Sequence, residues 1–185
     1  GPPPIPDEVG GGAKTLQILH PPEAARSYSS VYANHPTHKL SMLDSTLGWA
    51  AAKNVRGQYM RIDTGRVQMI VGVVTQGRSS SNNNKHAQWV TRYAVTVSND
   101  NVNFKRPQGS PMIIGNSDMD TRVYRLFNAP VKARYVQIQV FMWFNAITMR
   151  AAVLTESSDP VVRQVVDVQP RHHHLTLNPR MLSIA

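Results

Sequence analysis

Short apolar, β-branched runs separated by polar turns dominate the chain from about residue 26 to residue 155. "VQMIVGVVTQG" (67–77) is nearly continuous in apolar residues, as expected of a strand buried on both faces. "WVTRYAVTVSND" (89–100) alternates between apolar and polar positions and ends in turn-forming residues. No amphipathic pattern longer than about two helical turns interrupts these runs. The pattern therefore predicts an all-β sandwich or barrel.

The two ends of the chain differ in amino-acid composition from this central region. Residues 1–25 open with "GPPPIPDEVGGGA", which is rich in Pro and Gly and predicts an extended leader. Residues 156–185 are expected to form a C-terminal extension that contains three consecutive histidines, His172–His174. Adjacent residues of an extended chain point to opposite faces, so these histidines favour a solvated or docking segment over a metal site.

The charge balance constrains the class of partner. The 185 residues include 20 Lys and Arg against 11 Asp and Glu, which gives a formal net charge of +9. This excess favours an anionic partner such as lipid headgroups or an acidic protein surface, or it belongs to a basic protein without such a partner. The basic residues are scattered rather than gathered into one block, which disfavours nucleic acid. No apolar stretch approaches the length of a membrane span.

The sequence offers little catalytic chemistry. It contains no cysteine, which excludes disulfides, thiolate nucleophiles and cysteine-based zinc sites, and which mildly favours a reducing compartment. No phosphate-binding glycine loop, HExxH, GxSxG or Walker pattern is present. The acidic residues are thinly spread, with no pair placed for two-carboxylate catalysis. We therefore expect a protein that is not an enzyme.

Four stretches carry a common signature. They are "DSTLGWAAAKNVRGQYMRIDTGRVQMIVGVVTQGR" (44–78), "QWVTRYAVTVSNDNVNF" (88–104), "GNSDMDT" (115–121) and "NAPVKARYVQIQVFMWFNAITMRAAVL" (128–154). Together, and in this order, they resemble the discoidin domain family, also called coagulation factor V/VIII type C domains. The resemblance implies a jelly-roll β-sandwich over residues 26–155, flanked by extended N- and C-terminal segments.

The resemblance also implies a function. Members of the family are non-catalytic recognition modules of the adhesion type, whose loops at one end of the sandwich bind glycans, phospholipid headgroups or protein ligands such as collagen. One departure weakens the extracellular location that this implies: the family usually carries a disulfide, whereas here Ala50 follows Trp49 and no cysteine closes the domain. The alternative is a scaffold component of a larger, intracellular or organellar multiprotein assembly, docked through its terminal extensions on neighbouring proteins.

By position in the family, three loops are expected to meet at the binding end: residues 29–39, 51–58 and the polar stretch that follows Arg78. The candidate ligand-binding residues on them are Tyr32, Asn34, His35, His38, Lys53, Arg56, Arg78, Asn83, Lys85 and His86. The first loop lacks the exposed tryptophans of membrane-inserting relatives, so deep lipid insertion is disfavoured. The third loop, rich in Ser and Asn, suits hydrogen bonding to a polar ligand.

Arg78 stands out because it ends a buried strand and begins this polar loop, so that its guanidinium group has a rigid base. Its role is either contact with a ligand or a structural salt bridge, with Asp44 or Asp63 as the candidate partner.

The three tryptophans and one aspartate have two interpretations each. Trp49, Trp89 and Trp143 are either sugar-stacking platforms or core residues, and their positions favour the core. Asp44 lies where some sugar-binding relatives bind calcium, although most ligands there are backbone carbonyls. We expect no cofactor, with calcium near Asp44 as the one candidate.

Overall fold

Strands account for most of the architecture. The computed structural model describes residues 15–81 and 85–157. Their strands are β1 (Thr15–Leu19), β2 (Arg26–Tyr28), β3 (Trp49–Ala50), β4 (Tyr59–Gln76), β5 (Trp89–Ser98), β6 (Ile113–Ile114), β7 (Val123–Phe144) and β8 (Thr148–Ser157). One-turn 3-10 helices span Glu23–Ala25, Tyr32–Asn34 and Pro36–His38. Across these two ranges no helix is long and apolar enough to cross a membrane. The all-β prediction is confirmed.

Two long, bent strands organise the sandwich. The pairings are antiparallel, in the order β1-β8-β4-β7-β5-β6, with β2 added to β4 and β3 added to β8. The register between β4 and β7 shifts between Asp63 and Gln68, and this bulge lets each strand turn from one layer into the other. The first half of β4 and the second half of β7 form one layer with β2, β5 and β6. Their other halves form the second layer with β1 and β8. Both ends of β4 therefore point toward the same end of the sandwich.

The interior between the layers is filled by alternate residues of the strands. Met60 and Ile62 of β4 and Val136, Ile138 and Val140 of β7 are completely buried there. Each such side chain contributes about 1.5–3 kcal/mol of transfer free energy when fully buried. Buried and partly exposed residues alternate at the start of β4, so that its polar side chains face outward.

The prediction that 67–77 is buried on both faces holds only for its second part. Val73 faces the main core, whereas Val71 and Val74 pack in a second apolar cluster on the outer face with Leu43, Tyr124, Leu154 and Ala152. Val67 and Met69 are 50 % and 40 % exposed, because they lie next to the bend of β4 rather than in the middle of the sheet.

The tryptophans divide between the core and the surface. Trp49 is fully buried in the main core, and Trp143 packs against that core. Trp89 lies outside it, with its ring stacked on Phe144 at 4.3 Å between centroids. The core interpretation is therefore confirmed for Trp49 and Trp143 and is wrong for Trp89.

Part of the predicted leader belongs to the sandwich. Strand β1 pairs with β8 in a register that runs from Thr15 opposite Ser157 to Leu19 opposite Val153. The apolar Leu16 and Ile18 pack on the outer-face cluster, which explains why this short patch joins the sheet. This ladder holds together the two ends of the domain, where the family usually has a disulfide. The His172–His174 tract lies outside the described residues.

Candidate functional site

A cleft of about 420 Å³ opens at the end of the sandwich where β4 begins and ends. We call it the loop-end cleft. Its walls come from the loop before β3, the loop between β3 and β4, the loop after β4 and the turn between β7 and β8. Its lining residues are Tyr32, His38, Ala50, Ala51, Ala52, Asn54, Arg78, His86, Gln88, Ala146, Ile147 and Thr148.

Small apolar residues form the floor of this cleft. The two-residue strand β3 pairs with the start of β8, with Ala50 opposite Thr148. The Ala51 amide then donates to the Ile147 carbonyl oxygen at 3.2 Å, which continues the pairing into the cleft. Because alanine has no side chain beyond Cβ, the floor residues fill little of the cleft and leave room for a ligand above them.

The first wall carries Tyr32 and His38 on two successive 3-10 helices. Trp49 anchors this loop, because its indole Nε1–H donates to the Ser30 carbonyl oxygen at 2.8 Å. The Tyr32 ring meets the His38 imidazole edge-on, at 5.1 Å between centroids. The His38 Nδ1 atom is shielded from solvent and has no hydrogen-bond partner among the described residues. Burial, the nearby Arg78 charge and His35 all lower the pKa of His38 below its ordinary 6.5.

The second wall is built on Arg78, which lies just after β4. Its backbone amide donates to the Gln88 carbonyl oxygen at 2.9 Å, and its Nη1 donates to Gln88 Oε1 at 3.1 Å. The same Oε1 accepts the Thr148 hydroxyl at 2.9 Å. Arg78 Nε is shielded from solvent and donates to no acceptor in the described part of the chain. Burial lowers the pKa of Arg78.

The predicted structural salt bridge of Arg78 is wrong. Asp44 pairs with Arg122, and Asp63 pairs with Arg134 at 2.8 Å between Oδ1 and Nε. Both aspartates therefore already have guanidinium partners elsewhere. Within the described ranges, Arg78 has no carboxylate within ion-pair distance.

A buried arginine ties together the loops under the cleft. Arg150 of β8 is 2 % exposed and donates to the carbonyl oxygens of Gly77 at 2.8 Å, Ser45 at 3.1 Å and Met119 at 2.9 Å. Its Nη2 also donates to Asp120 Oδ1 at 2.8 Å. Three separate loops are thereby held at fixed positions behind Arg78.

Residues 24–153 match the sequence profile of the F5/8 type C domain. The chain belongs to the F5/8 type C domain family. Bovine lactadherin is 33 % identical over 111 residues, which covers 57 % of this chain and 25 % of lactadherin. Discoidin-2 of Dictyostelium discoideum is 31 % identical over 110 residues, which covers 60 % of this chain and 41 % of that protein. The chain thus spans less than half the length of these relatives.

Solved structures share the fold. Recombinant discoidin II of Dictyostelium discoideum superposes with a TM-score of 0.59 at 27 % identity, covering 70 % of this chain and 54 % of the other. The family 32 carbohydrate-binding module of C. perfringens NanJ, solved in complex with galactose, gives a TM-score of 0.55 at 13 % identity. The superposition includes all of that module and 76 % of this chain. The predicted jelly-roll sandwich of the discoidin type is confirmed.

The structure gathers four of the predicted site residues of this F5/8 type C domain into the cleft: Tyr32, His38, Arg78 and His86. Five others are exposed on the same loops but do not line it, and these are Asn34, His35, Lys53, Arg56 and Lys85. Asn83 lies outside the described residues.

Three polar lining residues were not among the predicted site residues. Asn54, Gln88 and Thr148 come from three separate segments, and no local pattern links them. Gln88 directly precedes the motif tryptophan Trp89, which was the one available signal.

The carboxylate of Asp44 is already engaged by two side-chain donors. Its oxygens accept hydrogen bonds from Arg122 and, at 3.0 Å, from Gln76 Nε2, so a cation there would face a guanidinium group. Residues 15–81 and 85–157 contain no cluster of three or more His, Asp or Glu side chains that could hold a metal ion. Calcium near Asp44 stays a prediction.

The chemistry of the cleft is that of a binding site. Among the described residues, its lining includes an arginine and two histidines but no Asp, Glu, Ser or Cys. The one hydroxyl there besides that of Tyr32 is on Thr148, and it donates to Gln88 rather than to a general base. The arrangement can hold a polar ligand by hydrogen bonds above an apolar floor.

Proposed function

We propose that this F5/8 type C domain is a non-catalytic binding module that holds a saccharide in the loop-end cleft. The observation that carries the proposal is that two of the six buried side-chain atoms without a hydrogen-bond partner among the described residues belong to this one cleft. Arg78 Nε and His38 Nδ1 are both shielded and unpaired among the described residues, and both belong to residues that line the same cleft. Buried polar atoms are normally paired, so unpaired ones at a cleft favour a ligand that completes them.

The shape of the cleft supports a ligand with one polar and one apolar side. Its volume of about 420 Å³ suits a small molecule rather than a macromolecular surface alone. A sugar ring has polar hydroxyls and a less polar C–H face. The hydroxyls would pair with Arg78 and His38, while the C–H face would lie on Ala51 and Ile147 or against the Tyr32 ring. The galactose complex of the NanJ module, which shares this fold, supports the same choice of ligand class.

A steric block tests the proposal. Ala52 is exposed and lines the cleft, so Ala52→Trp fills it without removing any polar group. We expect the wild-type protein to bind one or more saccharides on an array of neutral and acidic glycans, and the variant to bind at least about tenfold more weakly.

The matched control is Ala129→Trp. Ala129 is equally exposed but lies in the β7 bulge between Leu126 and Val131, away from the cleft. This variant should bind as the wild type does, and both variants should keep the wild-type melting temperature. Unchanged binding by Ala52→Trp, or no glycan binding by the wild-type protein, would refute the proposal.

Binding to an anionic lipid surface is the second candidate. Val55 at the tip of the second loop is 48 % exposed, and Lys53 and Arg56 beside it are also exposed. Tyr32 on the first loop is 55 % exposed. An exposed apolar tip between basic residues suits shallow contact with anionic headgroups, where each Lys or Arg contributes about 1 kcal/mol. Co-sedimentation with phosphatidylserine vesicles, but not with phosphatidylcholine vesicles, is the expected result.

The cellular setting follows the family. We place the domain outside the cell or at its surface, because none of the relatives named above supports the intracellular location that the lack of cysteines favoured. The scaffold alternative depends on terminal extensions that lie largely outside residues 15–157, and no feature of the described residues supports it. A protein ligand in place of a glycan stays a prediction.

A further inference from the structure

We propose that the loop-end cleft selects a saccharide that carries a carboxylate, and that this carboxylate binds at Arg78. The inference rests on the saccharide-binding function proposed above and goes beyond it, because it names the charge of the ligand.

The hydrogen bonds of Arg78 leave one edge of its guanidinium group without a partner. Nη1 is held by Gln88 Oε1, whereas Nε donates to no described acceptor. A guanidinium group binds a carboxylate through two parallel N–H groups, and the edge that includes Nε is one of the faces that can do so. Arg78 therefore has an unpaired donor on an edge that suits a planar, two-oxygen anion, and the ligand must displace the atoms that shield Nε to reach it.

The charge of Arg78 is also uncompensated. The ion-paired aspartates near this end, Asp44 and Asp120, have Arg122 and Arg150 as their partners. No acidic residue of the described ranges lines the cleft. A partly buried charge without a counter-ion is costly, and burial indeed lowers the pKa of Arg78. A neutral sugar can accept its hydrogen bonds but leaves this charge in place, whereas a carboxylate neutralises it.

The binding group is fixed before any ligand arrives. The backbone amide and Nη1 of Arg78 both bond to Gln88, and Thr148 holds the same Oε1 atom of Gln88 from the other side. The guanidinium group thus loses little further freedom on binding, which increases the affinity gained per hydrogen bond.

His38 adds a dependence on pH. Burial is the largest cause that disfavours the protonated imidazole, the charges of Arg78 and His35 disfavour it further, and Tyr32 contacts the ring edge-on. A carboxylate bound at Arg78 removes part of this repulsion, so it favours the imidazolium. Binding of an acidic saccharide should then take up a proton and become tighter as the pH falls through the pKa that His38 has in the complex.

The test compares saccharides that differ only at C6, where the neutral one has a hydroxymethyl group and the acid has a carboxylate. The full chain is titrated by calorimetry with methyl galactopyranoside and with methyl galacturonide, and again with methyl glucopyranoside and methyl glucuronide. In at least one pair the acid should bind about 10- to 100-fold more tightly than its neutral partner, the ratio that charge-assisted hydrogen bonds provide.

A conservative substitution isolates the charge. Gln88→Glu places a carboxylate next to Arg78 Nη1 at nearly unchanged size, and it still accepts from Thr148. We expect it to reduce the acid-to-neutral ratio to about one. Gln137→Glu is the matched control, because Gln137 Oε1 likewise accepts from a guanidinium group, that of Arg61, but on the outer face of β7. It makes the same change in net charge and should keep the wild-type ratio.

The outcomes separate this inference from the proposed function. Equal affinity of the wild-type protein for acid and neutral partners overturns the inference and leaves saccharide binding intact. A preference that survives in Gln88→Glu also overturns it. If no saccharide binds at all, the proposed function fails and the inference fails with it.

Discussion

Replacing Arg150 by methionine tests whether one buried guanidinium group holds the loops beneath the cleft. Methionine keeps much of the length of the side chain but removes all five donors. The carbonyl oxygens of Gly77, Ser45 and Met119 and the carboxylate of Asp120 would each lose a hydrogen bond. Gly77 is buried, so its carbonyl oxygen cannot simply turn to water.

The expected cost can be worked from these contacts. Hydrogen bonds to a charged group contribute about 1.5–3 kcal/mol each, but they do not add, and the half-exposed Asp120 can be resolvated. Removing one partner of a buried ionic network costs about 3–5 kcal/mol. Since a domain of this kind is stable by about 5–15 kcal/mol, Arg150→Met should lower the free energy of unfolding by about 3–5 kcal/mol and still fold at low temperature.

Urea denaturation followed by tryptophan fluorescence measures this loss. With a slope near 2 kcal/mol per molar urea, the midpoint should fall by about 1.5–2.5 M. The control is Arg134→Met, which breaks the half-buried, bidentate ion pair with Asp63 and should lower the midpoint by no more than about 0.5 M, since ion pairs that solvent can reach contribute little to stability. If Arg150→Met shifts the midpoint no more than Arg134→Met does, the role given to Arg150 is wrong.

Two further outcomes follow from the same structure. Burial raises the pKa of Asp120, but hydrogen bonds from Ser80 and Arg150 lower it more, so the pKa lies below its ordinary 3.8. The stabilisation that the Asp120 carboxylate provides is therefore complete above about pH 4 and is lost as the pH falls through the pKa of the folded state. Urea midpoints measured from pH 6 to pH 2.5 should therefore decline less in Asp120→Asn than in the wild type, and equal declines would contradict this. Gly72→Ala should destabilise the domain by about 1–3 kcal/mol, because a Cβ there would lie 2.1 Å from the Arg125 carbonyl oxygen, and an unchanged melting temperature would refute that contact.

Much of the fold could be predicted because strand patterns are local. The alternation around Met60 and Ile62 and the apolar run through Val73 depend on which face of a strand is buried, and this is written in neighbouring residues. The bends were not predictable in the same way. A bulge inserts extra residues and shifts the register of pairing. The sequence pattern of β4 and of β7 therefore predicts several short strands, although each is one continuous strand. The position of the Trp89 ring outside the core depends on its stacking with Phe144, which lies far along the chain on another strand.

The candidate site was predictable only in part for a related reason. Arg78 was found because a buried strand ends there, which is a local signal. Gln88 and Thr148 were not, because Thr148 comes near Arg78 through the pairing of β4 with β8, where Gln76 lies opposite Arg150. Gln88 bonds to both Arg78 and Thr148 from the start of another strand. The salt-bridge alternative for Arg78 was wrong because Asp44 pairs with Arg122 instead, and no spacing in the sequence connects Asp44 to Arg122. The structural role of Arg150 was detectable in principle, since an arginine that directly precedes the apolar run "AAVL" in a buried strand needs buried hydrogen-bond partners.

The most direct test of saccharide binding in the loop-end cleft is a titration followed by ¹⁵N–¹H correlation NMR. The full chain, labelled with ¹⁵N, would be titrated with the best-binding glycan from the array. We expect chemical-shift changes confined to the amides that line the cleft and their immediate neighbours: Tyr32, Ala52, Asn54, Arg78, Gln88 and Thr148. Saturable changes centred elsewhere on the domain, with these amides unmoved, would contradict this expectation.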